Sequence, residues 1–88
     1  SFPSAGSIFR NPAGGIYAAE LIDRAGLKGL RKGGAEVSTK HANFIVNKEH
    51  ASASDVFVLI EQIRATVFER FEVNLEPEVM IVGRETGS

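Results

Sequence analysis

The stretch SASDVFVLIEQIRATVFERF (residues 52–71) carries the longest periodic pattern of the sequence. Its apolar residues recur at steps of three and four, the spacing of one face of an α-helix; they are Val56, Leu59, Ile60, Ile63, Val67 and Phe71. Ser52 or Ser54 can cap the start of this helix, and Asp55, three residues after Ser52, resembles the acidic partner of a capping box. The stretch therefore predicts a long amphipathic helix that supplies half of the hydrophobic core.

The residues that follow this helix predict a closing strand. Pro77 restricts the residue before it, Glu76, to extended backbone. The apolar run at residues 79–82 is typical of a short buried strand. A strand is therefore predicted close to the C-terminal end of the sequence.

Two further strands are predicted before the long helix, in LKGLRKGGAEVSTKHANFIVN (residues 27–47). Glycines lie early in this stretch and β-branched residues lie late, which indicates a loop followed by strands at residues 35–38 and 43–46. A single helix over the whole stretch is disfavoured, because each glycine in a helix interior costs about 1 kcal/mol.

The N-terminal part predicts one strand and one helix. The strand covers residues 7–10 and is halted by an Asn-Pro pair. The helix covers residues 16–25, and Gly26 is predicted to end it in the left-handed conformation. The residues expected on one face of this helix are Ile16, Ala19, Ile22 and Ala25.

Together these elements give the order β-α-β-β-α-β, which predicts an α+β fold with two helices packed on one sheet. The 88 residues suffice for one small domain and are too few for two. Because the sequence begins with Ser-Phe-Pro rather than Met, we expect residues 1–88 to be a domain of a longer chain.

Composition narrows the possible functions. Apolar residues make up 43% of the chain and charged residues 24%, which is typical of a globular protein. A formal net charge of -1 gives no electrostatic case for binding nucleic acid or an anionic membrane. The absence of cysteine excludes disulfides and thiolate chemistry and agrees with the cytoplasmic location that we expect. No apolar run approaches the length of a membrane span.

Two polar residues next to predicted strands are candidates for chemistry. Ser7 follows a glycine in PSAGSIFRNP (residues 3–12), and Glu78 precedes the closing strand. Ser7 is not a nucleophile elbow, because Ala5 and Phe9 stand where that motif requires glycines. The residues alone leave plainer interpretations open: a serine that opens a strand, and a solvated acid.

The remaining polar residues give weaker signals. The two histidines, His41 and His50, are nine residues apart and His41 has no acidic cluster beside it, so no metal site is predicted. Basic side chains among the glycines could contact a phosphate, although most basic loops are simply solvated; they are Lys28, Arg31 and Lys32.

Three segments, in their order and spacing, resemble the C-terminal part of the UDP-N-acetylenolpyruvoylglucosamine reductases. They are PSAGSIFRNP, AGLKG…GGAEVSTKHANFIVN and LEPEVMIVG, and the resemblance runs from Pro3 to Gly83. The Gly-Ser-x-Phe-Lys/Arg-Asn-Pro and Glu-x-Glu-Val motifs carry most of its specificity. The resemblance implies part of a flavoenzyme of peptidoglycan synthesis whose FAD-binding domains precede this region.

In this family NADPH reduces the flavin, and UDP-N-acetylglucosamine enolpyruvate is then reduced to UDP-N-acetylmuramate. The resemblance implies that Ser7 is the proton donor and that Glu78 stabilises the developing negative charge. It also implies that Asn11 and Arg10 bind substrate and that His41 lies on the flavin side of the cleft. The fragment itself is expected to be inactive without the FAD-binding domains.

The sequence departs from the family pattern at two residues, and two other functions remain as alternatives. Glu72 stands where the family usually has glycine, so a different turn is expected there, and Met80 replaces an arginine that faces the substrate in some members. A stand-alone α+β module for small-molecule sensing or protein interaction is the alternative of a different class. A serine hydrolase is disfavoured, because neither His41 nor His50 has an acidic partner nearby in the sequence.

Overall fold

The computed structural model describes residues 8–78. Its elements follow the order α1 (Ala18–Arg24), β1 (Arg31–Lys32), β2 (Ala35–Val37), β3 (Ile45–Asn47) and α2 (Ala53–Phe71). The strands form one antiparallel sheet in the order β1-β2-β3. Helix α2 packs against β1, β2 and α1, which confirms the α+β fold class. The strand predicted at residues 79–82 lies outside the described residues.

Helix α2 begins and packs as its sequence predicts. The Ser52 hydroxyl accepts the Asp55 N–H, and the Asp55 carboxylate accepts the Ser52 N–H, each at 3.0 Å. This reciprocal pair is the capping box, which satisfies two N–H groups that have no partner within the helix. The buried face consists of Val56, Leu59, Ile60, Ile63 and Val67. Phe71, the last predicted core residue, is only partly buried.

Asp55 also ties the helix to the sheet, because its carboxylate accepts the Gly34 N–H at 3.2 Å. Donation by the backbone N–H groups of Ser52 and Gly34 lowers the pKa of Asp55, since these bonds favour the ionised form.

A lowered pKa predicts that Asp55 stabilises the fold at neutral pH and loses this effect in acid. Its contribution is complete above the ordinary aspartate pKa of about 3.9 and disappears as the pH falls through the lowered folded value. We expect the thermal midpoint of Asp55→Asn to lie below that of wild type at pH 7. The difference between the two midpoints should shrink below about pH 3. Circular dichroism melting curves across this range measure both effects. Glu69, an exposed residue of the same helix, provides the matched control, because Glu69→Gln removes a carboxylate without touching the helix cap.

Helix α2 is capped at its C-terminal end by Glu72, the position where the family usually has glycine. Glu72 adopts the left-handed conformation with φ 57°, and its N–H bonds to the Phe68 carbonyl at 2.8 Å. The helix therefore ends at a left-handed cap even though Glu72 carries a side chain that disfavours this backbone.

The β1–β2 hairpin corrects the predicted glycine-rich loop. Arg31 pairs with Glu36, and Lys32 pairs with Ala35, so that Gly33-Gly34 forms a two-residue connection. Such a connection needs backbone angles that glycine supplies, and Gly33 has φ 57°. The later strands were predicted within two residues: residues 35–38 against the observed β2, and residues 43–46 against β3.

The start of α1 was predicted two residues too early, and the predicted face is partly wrong. The side-chain oxygen of Asn11 accepts the Ala18 N–H at 2.9 Å, which satisfies the first N–H of the helix. Ile16 therefore precedes the helix and is 38% exposed. The core face is instead formed by Ala18, Leu21, Ile22 and Ala25. Gly26 follows with φ 75°, which confirms the predicted left-handed end.

The core joins both helices, the sheet and the two chain segments that flank them. Its most completely buried large side chains are Phe9, Ile22, Val37, Leu59, Ile63, Val67 and Leu75. Within residues 8–78, no helix is both long and apolar enough to cross a lipid bilayer.

Candidate active site

The two ends of the described chain meet beside the core. Phe9 and Pro77 form an isolated antiparallel bridge. The Glu78 N–H donates to the Ile8 carbonyl at 2.6 Å, and the Arg10 N–H donates to the Glu76 carbonyl at 3.0 Å. The strand predicted at residues 7–10 is thus reduced, in its described part, to one bridge. This bridge brings residues from the two predicted motifs next to each other.

Asn43 forms hydrogen bonds along the other edge of the segment at residues 8 and 9. Its side-chain oxygen accepts the Phe9 N–H at 3.0 Å, and its side-chain nitrogen donates to the Phe9 carbonyl at 2.9 Å. The Asn43 carbonyl in turn accepts the Ile8 N–H at 2.8 Å. Sequence reasoning missed this residue, because an amide within HANFIVN carries no signal that its partners lie at residues 8 and 9.

A cleft of about 450 Å³ opens along this junction. Its lining combines three aromatic residues with a cation, a carboxylate and two amides: Phe9, Arg10, Asn11, Tyr17, Ala19, Asn43, Phe44 and Glu78. Arg10, Asn11 and Glu78, which were predicted as site residues, therefore share one cleft. Such a mixture of apolar walls and a few convergent polar groups is typical of a small-molecule site.

The polar side chains of the cleft differ in whether they already form hydrogen bonds within the domain. Asn11 commits its side-chain oxygen to the start of α1. This bond orients the Asn11 side chain, and the amide nitrogen is the atom suited to donate to a ligand. Arg10 and Glu78 are exposed residues of opposite charge whose backbones lie at opposite ends of the Phe9–Pro77 bridge, Arg10 next to Glu76 and Glu78 next to Ile8.

The other predicted residues lie at or beyond the edge of this cleft. Ser7 lies outside the described residues. His41 is exposed and does not line the cleft, but its ring packs against Phe44, which does, with 5.5 Å between ring centroids. The structure therefore brings together three of the five predicted site residues. His41 lies outside the cleft and contacts it only through the Phe44 ring.

The basic residues of the glycine-rich stretch lie elsewhere. Lys28 pairs with Asp23 at 3.6 Å, and Arg31 pairs with Glu49 at 3.0 Å. These exposed ion pairs give the phosphate hypothesis no support. Among residues 8–78, no group of three histidine, aspartate or glutamate side chains is arranged to hold a metal ion.

The fold and cleft define a small α+β domain that brings two distant chain segments together around a polar cleft. The chain belongs to the family of the UDP-N-acetylenolpyruvoylglucosamine reductase C-terminal domain, whose model matches residues 1–82. The family resemblance stated from the motifs is thereby confirmed.

Individual relatives agree with this assignment. A UDP-N-acetylenolpyruvoylglucosamine reductase of Desulfosudis oleivorans is 55% identical over 94% of this chain and 26% of its own length. The reductase of Levilactobacillus brevis is 54% identical over 94% of this chain and 27% of its own length. The crystal structure of the Thermus caldophilus enzyme (MurB) superimposes with a TM-score of 0.73 at 47% identity, over 88% of this chain and 26% of that one. The chain thus spans about a quarter of the length of these relatives.

Proposed function

We propose that this chain is the substrate-binding domain of a UDP-N-acetylenolpyruvoylglucosamine reductase. The observation that carries the proposal is the cleft in which Arg10, Asn11 and Glu78 meet. The substrate is UDP-N-acetylglucosamine enolpyruvate, an anion with a carboxylate next to the reacting double bond. The Arg10 guanidinium supplies a cation for such a group, and the Asn11 amide supplies a hydrogen-bond donor.

Ser7 and Glu78 divide the chemistry between them in this proposal. When hydride adds to C3 of the enolpyruvyl group, negative charge develops at C2 and on the neighbouring carboxylate. Ser7 donates the proton that C2 needs, and the Glu78 side chain stabilises the charge that develops on the neighbouring carboxylate. The bond between the Glu78 N–H and the Ile8 carbonyl supports this division, because Ile8 is the residue joined to Ser7.

FAD and NADPH are the proposed cofactors; the flavin, once reduced by NADPH, would supply the hydride to the substrate. The cleft has aromatic walls and a single arginine, a set that suits contact with one edge of a flavin but not the binding of a whole dinucleotide. We therefore assign most FAD and NADPH contacts to the FAD-binding domains of the full-length protein, with His41 near the flavin side. The product, UDP-N-acetylmuramate, places the reaction in cytoplasmic peptidoglycan synthesis.

An activity assay with two protein lengths tests this function. The full-length protein loaded with FAD is expected to oxidise NADPH beyond the one equivalent that reduces its flavin only when UDP-N-acetylglucosamine enolpyruvate is present, and then to form UDP-N-acetylmuramate in equal amount to the further NADPH oxidised. Residues 1–88 alone are expected neither to bind FAD nor to oxidise NADPH. Absorbance at 340 nm and mass spectrometry of the product measure both results. Tight FAD binding by residues 1–88, or binding of a small molecule without reduction by the full-length protein, would contradict the proposal.

A further inference from the structure

Asn43 is the one polar side chain that is buried among residues 8–78, with 6% of its surface exposed. A buried amide is costly unless its oxygen and nitrogen both find partners. Here both atoms bond to a single residue, Phe9, through its backbone N–H and carbonyl. The Asn43 side chain therefore contacts the Phe9 backbone in the way that a neighbouring strand would.

This contact completes the bonding of a short backbone segment. From the Ile8 N–H to the Arg10 N–H, all five consecutive polar groups of the backbone are hydrogen-bonded. Three of them bond to Asn43, and the other two bond to Glu76 and Glu78. The segment is thus held between Asn43 on one edge and the Glu76–Glu78 backbone on the other.

We propose that Asn43 is a positioning residue for the candidate reaction, a role that rests on the proposed function. By holding Phe9, it sets the register of Arg10 against Glu78. Phe9 itself is 1% exposed, so its side chain fixes the depth of the segment while the amide fixes its register. Displacing reacting groups by as little as about 1 Å can cost about a hundredfold in rate.

The role requires an amide, because the two partner groups of Phe9 have opposite character. The N–H needs an acceptor and the carbonyl needs a donor, and an asparagine side chain offers one of each. A carboxylate keeps the shape but places an acceptor against the Phe9 carbonyl. Protonation of that carboxylate restores a donor, and burial raises the pKa of an introduced carboxyl group so that protonation occurs in mild acid.

The experiment compares Asn43→Asp with Asn74→Asp in the full-length protein loaded with FAD. Asn74 is exposed and does not line the cleft, so it undergoes the same chemical change without touching the segment. At about pH 8, kcat for the enolpyruvyl substrate in Asn43→Asp is expected to be about 10- to 100-fold below that of Asn74→Asp. The kcat of Asn43→Asp divided by that of Asn74→Asp should rise toward one as the pH falls to about 5.5, because the protonated carboxyl group regains the lost hydrogen bond.

A purely structural role would give a different result. In that case Asn43→Asp would lower the thermal midpoint, while kcat at 25 °C would match that of Asn74→Asp at every pH, and the inference would be wrong. If Asn43→Asp does not fold, Asn43→Ser is the second variant, because its shorter side chain ends in a single oxygen and cannot span both Phe9 groups as the amide does. An Asn43→Ser protein with the kcat of wild type would also overturn the inference.

A second readout separates this inference from the proposed function. If neither wild type nor Asn74→Asp reduces the substrate, the proposed function fails, and amide hydrogen exchange then decides the role of Asn43. Faster exchange confined to the amides of Ile8, Phe9 and Arg10 in Asn43→Asp supports the positioning role. Unchanged exchange at these amides, or faster exchange throughout residues 8–78, contradicts it.

Discussion

Replacing Glu78 with alanine in the full-length protein is expected to lower kcat by about 10²–10³-fold, the loss typical for one donor to a developing anion. Glu78 is exposed and lines the cleft together with Arg10 and Asn11. Its backbone is held by the hydrogen bond to Ile8, and alanine keeps that bond because only the side chain changes. The fold and the Phe9–Pro77 bridge should therefore survive, and the loss should fall on the chemical step.

Glu76 offers the matched control for this prediction. It stands two residues earlier, is exposed, and contributes its carbonyl rather than its side chain to the bridge. We expect Glu76→Ala to retain kcat within about twofold of wild type, since the cleft lining does not include Glu76. Steady-state kinetics at saturating substrate compare the two variants. Equal losses in both variants would show that the effect comes from altered charge near the bridge and not from a role of Glu78.

Measuring the two half-reactions separately shows which step the substitutions of Glu78 and Ser7 slow. Rapid-mixing absorbance of the flavin should show NADPH oxidation at the wild-type rate in both Glu78→Ala and Ser7→Ala, with the slow step in the reduction of substrate. Because two residues that act as a unit lose activity non-additively, the double variant should be little slower than the worse single variant. Substrate reduction at the wild-type rate in Ser7→Ala would reject the proton-donor role.

Local patterns account for the parts of the fold that were predicted from the sequence. The core face of α2 follows from the spacing of Val56 to Val67, and its start follows from the Ser52–Asp55 pair. Both signals lie within a few residues of the structure that they specify. Gly26 was predicted as a helix end for the same reason, since a single residue in the left-handed conformation decides it.

Long-range partners account for the parts that were not predicted. The first N–H of α1 is satisfied by Asn11, seven residues before it, so the apolar pattern around Ile16 suggested a helix start that is too early. Strand β1 consists of exposed Arg31 and Lys32, which show no apolar alternation. Only the Gly-Gly pair after them could have indicated a hairpin.

The candidate site divides in the same way. Motifs identified Arg10, Asn11 and Glu78, but their meeting depends on a bridge between Phe9 and Pro77 that no local pattern contains. Asn43 could not be predicted, because it bonds to a residue 34 positions away and its neighbours in sequence read as an ordinary strand. Polar residues inside apolar runs are the signal to examine in such cases.

Replacing Gly34 with alanine is expected to destabilise the domain by about 3 kcal/mol, the upper part of the range for overpacked sites. A Cβ atom at this position would overlap the Glu49 carbonyl oxygen and would lie 2.6 Å from the Glu49 carbonyl carbon and 2.7 Å from the Ala51 nitrogen. These are backbone atoms, so no side chain can rotate away to relieve the overlap.

The hydrogen bonds of Gly34 prevent an easy adjustment. Its carbonyl accepts the N–H groups of Lys48 and Glu49 at 2.7 and 3.2 Å, and its N–H donates to Asp55 at 3.2 Å. Moving the 48–51 backbone away would break the first two bonds and disturb the start of α2. The hairpin, the end of β3 and the helix cap therefore depend on one position without a side chain.

Gly14→Ala distinguishes this steric effect from the ordinary cost of replacing a glycine. Gly14 has φ 89° and no neighbouring atom within 4 Å of an added Cβ, so only backbone strain of about 1–2 kcal/mol opposes alanine there. Urea unfolding of both variants should give similar m-values, with the midpoint of Gly34→Ala clearly below that of Gly14→Ala. Equal midpoints would mean that the 48–51 backbone yields without loss, and that Gly34 serves as a turn residue and not as the contact between sheet and helix. For a domain whose total stability is expected to be about 4–13 kcal/mol, a loss of about 3 kcal/mol would leave a measurable unfolded population on moderate heating.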